Sequence, residues 1–297
     1  MILITGATGQ LGSAVIGRLL HRVDPTEVAA FVRDPAKATG LSARGVSVRV
    51  GDYDDTDALE RAVDGVDRVL LIAGNDPRHR VRQHQNVIDA ARKAGVALLG
   101  FASRSLRDVH ASANTLMGDY FDTEDRVRTS GLAHVFFRNA LYLDTVPLYV
   151  GGARVFDSGI RLPAGTGRVA YALRRELGEA LANGMLDHHG PDRTHVVAAP
   201  MAYGFDDVAT ALTEASGRPV EYTPVTDEDY LADAYRAGVP DDVSRRVLGF
   251  YHDIRDDQLD ETSDAFEHLL GRAPATLTAG LRELFDLPAA RDGEVDR

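Results

Sequence analysis

A run of glycines set between two hydrophobic periodicities limits this chain more than any other feature. Thr5-Gly6-Ala7-Thr8-Gly9-Gln10-Leu11-Gly12 follows the apolar Ile2-Leu3-Ile4 and precedes Val15, Ile16, Leu19 and Leu20, which with Leu11 recur at helical spacing. A short buried strand that passes straight into a helix through such a turn is the opening of a βαβ unit. Gly6 lets the chain turn tightly, Gly9 lets backbone N–H groups approach a pyrophosphate with no side chain between them, and Gly12 permits close packing of the helix. The helix N-terminus adds partial positive charge. Gly6, Thr8, Gly9, Gln10, Leu11 and Gly12 are therefore the expected cradle of a dinucleotide.

The alternation continues. Val28 to Val32, Val46 to Val50, Val69 to Ile72, Val96 to Phe101 and His134 to Phe137 read as the second to sixth strands. Between them, one helix starts near Thr56 or Asp57, either able to cap it, and stops at Gly65; another runs through Val81, Ile88 and Ala91 to Gly95. The predicted fold class is α/β, a Rossmann-type doubly wound parallel sheet. Residues 1–150 are expected to form the nucleotide-binding domain. Residues 151–297 are expected to form a smaller, mainly helical substrate-binding lobe, partly interleaved with the sheet. That lobe opens with a Gly-rich stretch at 151–167, then a helix from about Arg174 to Ala182 and a strand near Val196 to Ala198. Asp206 can cap a helix closed by Gly217, Thr226 opens another, and Leu269, Leu277, Leu281 and Leu284 mark the last ones. Residues 286–297 are polar and expected to fray.

Composition removes several function classes. There is no cysteine, which excludes disulfides, thiolate metal sites and a cysteine nucleophile, so redox chemistry needs a borrowed cofactor. A net charge of -12 argues against a nucleic-acid partner, which would require phosphate neutralisation by Lys and Arg. No stretch reaches the roughly 18 apolar residues of a membrane span. No basic region precedes the first strand, so a cytoplasmic location is expected. His188-His189 lacks partners at metal-ligand spacing, and no metal is expected.

The second strand ends in Arg33-Asp34-Pro35-Ala36-Lys37, roughly 20 residues past the loop, where the ribose 2′ position is read. Arg33 can pair bidentately with a 2′-phosphate and Lys37 can add a point charge, whereas Asp34 could hydrogen-bond a 2′-hydroxyl. The cofactor expected is NADPH. Asp52, after the third strand, offers a carboxylate to the adenine amino group, and Ile72 and Ala73 close the fourth strand beside the site.

Gly-Ala-Thr-Gly-Gln-Leu-Gly at 6–12, Val-Arg-Asp-Pro-Ala-Lys at 32–37, Gln-His-Gln-Asn-Val-Ile-Asp-Ala-Ala at 83–91 and Phe-Arg-Asn at 137–139 together resemble the NmrA-like atypical short-chain dehydrogenases, in particular their quinone oxidoreductase type 2 branch. The resemblance implies NADPH binding and, for many members, reduction of a quinone or carbonyl; some members bind cofactor only to regulate a partner. Short-chain dehydrogenases use a tyrosine, a lysine four residues later and a serine. Here that arrangement is broken. Of 33 basic residues only Lys37 and Lys93 are lysines, and none of the ten tyrosines has a lysine at the fourth position. Tyr120 matches best by position, with Glu124 where the lysine belongs, and a phenol without a cationic neighbour is a poor relay.

Ser103 and Ser105 follow the fifth strand and could orient a carbonyl oxygen. Asn139 borders the nicotinamide or substrate by the same resemblance, with Tyr142 close by and Arg138 as a structural alternative. Ser103 and Asn139 are thus candidates for both catalysis and cofactor contact, beside Ser105 and Tyr120. His110 could donate a proton or merely be solvated. Tyr230, Tyr235, Val247, Leu248, Phe250 and Tyr251 could line a lid or simply be core. The expected activity is hydride transfer from NADPH to a quinone or polycyclic aromatic ketone, with the proton drawn from water or from an acidic phenol of the substrate. The Arg-rich, Ala-rich composition fits a high-GC actinomycete, whose reductases of this superfamily act on aromatic polyketides such as angucyclinones. The rival reading is an NADP-binding redox sensor without turnover.

Overall fold

A computed structural model of the chain describes residues 1–288 apart from 75 and 113. Of residues 286–297, expected to fray, those from 289 onward lie outside the described residues.

The glycine loop joins β1 (Ile2–Ile4) to α1 (Gln10–Leu19), and β2 (Val28–Val32), α2 (Thr39–Ser42), β3 (Ser47–Val50), α3 (Thr56–Val63), β4 (Arg68–Leu71), α4 (Arg80–Ala94), β5 (Leu98–Arg104), α5 (Thr115–Ser130) and β6 (His134–Asn139) follow. After β6 come α6 (Val146–Tyr149), α7 (Val155–Ser158), β7 (Ile160–Leu162), α8 (Arg174–Asp187), β8 (Arg193–Val197), α9 (Phe205–Ser216) and β9 (Tyr222–Pro224). Four further helices are described: α10 (Asp227–Arg236), α11 (Asp241–Arg255), α12 (Ala265–Leu270) and α13 (Leu277–Leu284).

Seven strands form one parallel sheet in the order β3-β2-β1-β4-β5-β6-β8. The order reverses between β1 and β4, the switch point at which open α/β sheets leave a crevice at the carboxyl ends of the strands. Strand periodicity divides the core. Ile2 and Ile4 pack with Val15, Ile16, Leu177 and Leu181 on one face, while Leu3 packs with Leu59, Val87 and Ile88 on the other. A third cluster, around Phe205, Tyr251 and Leu281, fills the C-terminal half.

The seventh strand, β8, comes from the C-terminal half and pairs with β6 through Val135↔Arg193 to Asn139↔Val197. Helix α8 also returns to the sheet, where a Cβ on Gly178 would collide with Ala14 of α1. Close approach of these two helices needs the glycine.

Several boundaries differ from those read in the sequence. Helix α3 is capped by Asp55, whose carboxylate accepts from the Ala58 N–H at 2.9 Å, rather than by Thr56 or Asp57. At α9 the expected cap Asp206 sits inside the first turn, and Asp207 instead accepts from the Gly204 N–H at 2.9 Å. Strand β5 runs on to Arg104, three residues past its expected end. Among the described residues no helix is long and apolar enough to cross a membrane.

Candidate active site

Thr5 fixes the start of the loop. Its buried hydroxyl accepts from the Ile72 N–H at 2.8 Å and donates to the carbonyl of Ile72 or Leu70, tying the ends of β1 and β4 together. Gly6 then takes φ +58°, left-handed backbone that a side chain disfavours. A Cβ on Gly12 would be driven into the Gly6 carbonyl oxygen, and one on Gly9 would stand 3.1 Å from it. The N-terminus of α1 has no side-chain cap and no acidic residue in its first turn. Its N–H groups are therefore directed at a cleft of about 910 Å3.

Gly6, Thr8, Gly9, Gln10, Leu11, Gly12, Arg33, Lys37, Asp52, Ile72 and Ala73 all lie along this cleft. At the end beside β2, the exposed Arg33 guanidinium sits 4.0 Å from the Asp52 carboxylate. Asp34 is committed elsewhere, since its carboxylate accepts from the Ala36 N–H at 3.0 Å and caps the short turn that carries Lys37. That commitment favours a 2′-phosphate over a 2′-hydroxyl. Below them the buried Tyr53 hydroxyl donates to the Ile72 carbonyl at 2.8 Å, and burial pushes its pKa up to about 12. It is a strut.

At the other end the side-chain directions differ from expectation. Ala102 and Arg104 of β5 face the cleft, so the pleat turns Ser103 between them away from it. Its hydroxyl donates to the Glu124 carboxylate at 2.6 Å. Ser105 likewise donates to Glu261 at 2.7 Å. Both serines are buried and satisfied by carboxylates, and neither lines the cleft. Glu124, at the position expected for a lysine, is fully buried and also accepts from Arg138 (2.9 and 2.7 Å) and Arg128 (2.9 Å). Arg138 therefore holds the sheet to α5.

Asn139 is buried at the end of β6, outside the cleft lining, with neither its amide oxygen nor its amide nitrogen hydrogen-bonded. His110 is exposed in the loop after β5. The stripe from Tyr230 to Tyr251 is mainly core, with Tyr251 buried against Tyr149, Tyr230 and Phe205, while Tyr235 is exposed. Among the described residues of α10 to α13, only Arg246 reaches the cleft.

Tyr120 does line it, stacked on Phe101 at 6.1 Å between ring centroids. It does not lack cations. The Arg104 guanidinium lies 5.6 Å from the centre of its ring and that of Arg80 lies 5.0 Å away. Arg104 also sits 4.3 Å from the Tyr142 ring, which Arg174 approaches to 4.4 Å. Arg174 in turn hydrogen-bonds Gln10 of the glycine loop and pairs with Asp144 at 3.7 Å. Burial opposes the charge on Arg104, yet the Tyr142 and Tyr120 phenols outweigh it and keep its pKa above the ordinary arginine value. Arg80, Arg104, Arg174 and Arg246 were not marked as site residues in the sequence. For Arg104 a signal existed: extending β5 by three residues gives it the parity of Ala102.

A sequence model of the NAD(P)H-binding family matches residues 6–159. The chain is similar to quinone oxidoreductase 2 of Escherichia coli, with 32% identity over 97% of this chain and 99% of the relative. Among solved structures, the NADPH complex of the NADPH-dependent quinone oxidoreductase from E. coli superposes with a TM-score of 0.90 at 32% identity, covering 96% of this chain and 100% of that one. Triphenylmethane reductase of Citrobacter sp. complexed with NADP(H) gives 0.89 at 33% identity, with 96% and 100% covered. An NmrA-like family domain-containing oxidoreductase of Aspergillus flavus is 26% identical over 95% of this chain and 94% of its own length.

Proposed function

This chain belongs to the NAD(P)H-binding family, and we propose that it is an NADPH-dependent reductase whose acceptor is a quinone or a polycyclic aromatic ketone. The observation that carries the reading is the continuity of one cleft, which joins a backbone cradle sized for a pyrophosphate to an end lined by Tyr120, Tyr142 and Arg104. The cradle fits the cofactor because the N-terminus of α1 has no side-chain cap and no acidic residue in its first turn, and the loop leading into it lines the cleft. Gly6 to Gly12 would hold the pyrophosphate, Arg33 and Lys37 would take the 2′-phosphate, and Asp52 would meet the adenine. Ile72 and Ala73 after β4 and Ala102 and Arg104 of β5 would line the nicotinamide end. Bound NADPH supplies a hydride. Residues 151–297 contribute Arg174 and Arg246 to the cleft, which supports their role as an acceptor-side lobe.

Flat aromatic walls suit a flat acceptor, and relatives named for reducing quinones and triphenylmethane dyes agree with that class. With Ser103 and Ser105 held by carboxylates and Asn139 buried outside the cleft lining, orientation of the acceptor falls to the Tyr120 hydroxyl. The last proton comes from water or from a phenol of the acceptor. Fluorescence titration should give tighter binding of NADPH than of NADH, and absorbance should follow NADPH oxidation by quinones and aromatic ketones. Tight binding with no oxidation by any acceptor would instead favour a cofactor sensor. Tyr120→Phe should keep activity within about tenfold, whereas a loss of a thousandfold or so would put the proton relay on that phenol.

A further inference from the structure

The cleft is lined by five arginines, and four of them have a carboxylate partner: Arg33 with Asp52, Arg80 with Asp119, Arg174 with Asp144 and Arg246 with Asp242. Arg104 is different. Among the described residues no carboxylate pairs with it, and its Nη1 is shut off from solvent with no hydrogen-bond acceptor. Around it stand the Tyr142 and Tyr120 rings, with Tyr149 adding to the field it feels and Arg80 and Arg174 packed against the same two rings. A guanidinium left partly buried without a counter-charge costs stability, and such a cost persists where an anionic partner completes the site.

We propose that Arg104 holds the acceptor oxygen that becomes anionic during reduction. The inference rests on the reductase reading and deepens it. Arg104 stands at the carboxyl end of β5 inside the cleft, where the crevice of an open α/β sheet receives its ligand. Hydride adds two electrons and one proton to a quinone, giving the hydroquinone monoanion and leaving NADP+. Arg104 remains protonated and donates N–H hydrogen bonds to the new oxygen anion, and water later supplies the second proton. A donor already in place pays no reorganisation when the charge forms. The acceptor class follows: a planar aromatic carbonyl whose oxygen ends as a phenolate, in preference to an aliphatic ketone.

The full chain with NADP+ bound can be titrated with 4-nitrophenol, whose ionisation is seen by absorbance. Wild-type protein should prefer the phenolate by about tenfold, lowering the apparent pKa of the probe by about one unit. Arg104→Lys should keep part of the displacement and Arg104→Gln should abolish it. An undiminished displacement in Arg104→Gln, or none in wild type, would overturn the proposal. Arg104→Met checks for a structural role: it should melt no lower than wild type and bind NADPH within about threefold, because an unpaired cation has been removed. A clear fall in its melting temperature would show that the guanidinium is structural. With quinone as acceptor, Arg104→Gln should lower kcat more than it raises KM. Failure of the wild-type chain to oxidise NADPH with any quinone or aromatic ketone would sink the reductase reading, an outcome distinct from those of the probe titration.

Discussion

The two ends of the cleft are built by different means. The glycine-loop end works through backbone: absent Cβ atoms, a left-handed Gly6 and the uncapped start of α1. The β5 end is built from side chains, in which two carboxylates, the buried Glu124 and the partly buried Glu261, bind the serines while Arg104 is left to the aromatic rings. Backbone recognition depends on shape and tolerates little substitution within the loop. Side-chain recognition depends on which charges are paired, so it can change acceptor without moving the sheet.

The contrast can be broken most strongly at Glu124. Glu124→Gln removes one partner from two arginines and Ser103, and should cost about 3 to 5 kcal/mol in denaturant unfolding while NADPH affinity per folded molecule stays constant. An unchanged midpoint would mean that the buried network contributes nothing. Next, Gly12→Ala should weaken NADPH about a hundredfold by fluorescence titration, with a smaller effect on stability. Near-normal affinity would show that side-chain contacts carry cofactor binding after all.

His84 gives a third, pH-dependent case. It is buried on α4, with Nδ1 2.8 Å from the Thr123 hydroxyl and Nε2 unpartnered, and burial lowers its pKa to about 3. Thr123 donates to the Asp119 carbonyl, so Nδ1–H is the donor and the ring is neutral. Because the folded pKa lies below the unfolded value, the unfolded chain binds more protons between the two. Stability is complete above roughly pH 6.5 and falls on acidification, by about 2 kcal/mol at about pH 5. Removing that term, His84→Gln should flatten the stability profile over this window. The smallest effect is expected at the exposed Arg33. Arg33→Ala should weaken NADPH by about tenfold at low salt, less at high salt, and leave NADH unchanged. Equal losses for both cofactors would remove Arg33 from 2′-phosphate recognition.

Sequence reading served these two ends unequally, for a physical reason. Glycine spacing and hydrophobic period are local, so the loop, the first six strands, the doubly wound class and Arg33 with Lys37 could be placed from the chain alone. The state of Ser103 depends on Glu124 and that of Ser105 on Glu261, 156 positions away. No local pattern encodes such pairings. Tyr120 looked unsupported because a cation was sought four residues on, along its own helix, whereas Arg104 and Arg80 arrive from β5 and α4. The caps of α3 and α9 lie one or two residues ahead of the positions the sequence suggests, since neighbouring Asp and Thr residues compete for the same N–H groups.

The contact of Gly178 with Ala14 bears on how this protein can be inherited and rebuilt. Because α8 lies against the very helix that receives the cofactor, and β8 supplies the seventh strand, a graft exchanging everything after residue 150 would also replace a wall of the nucleotide site. Recombination at that seam is penalised. Diversity in the acceptor accordingly has to accumulate by point changes at the β5 edge, one charge at a time, rather than by swapping modules.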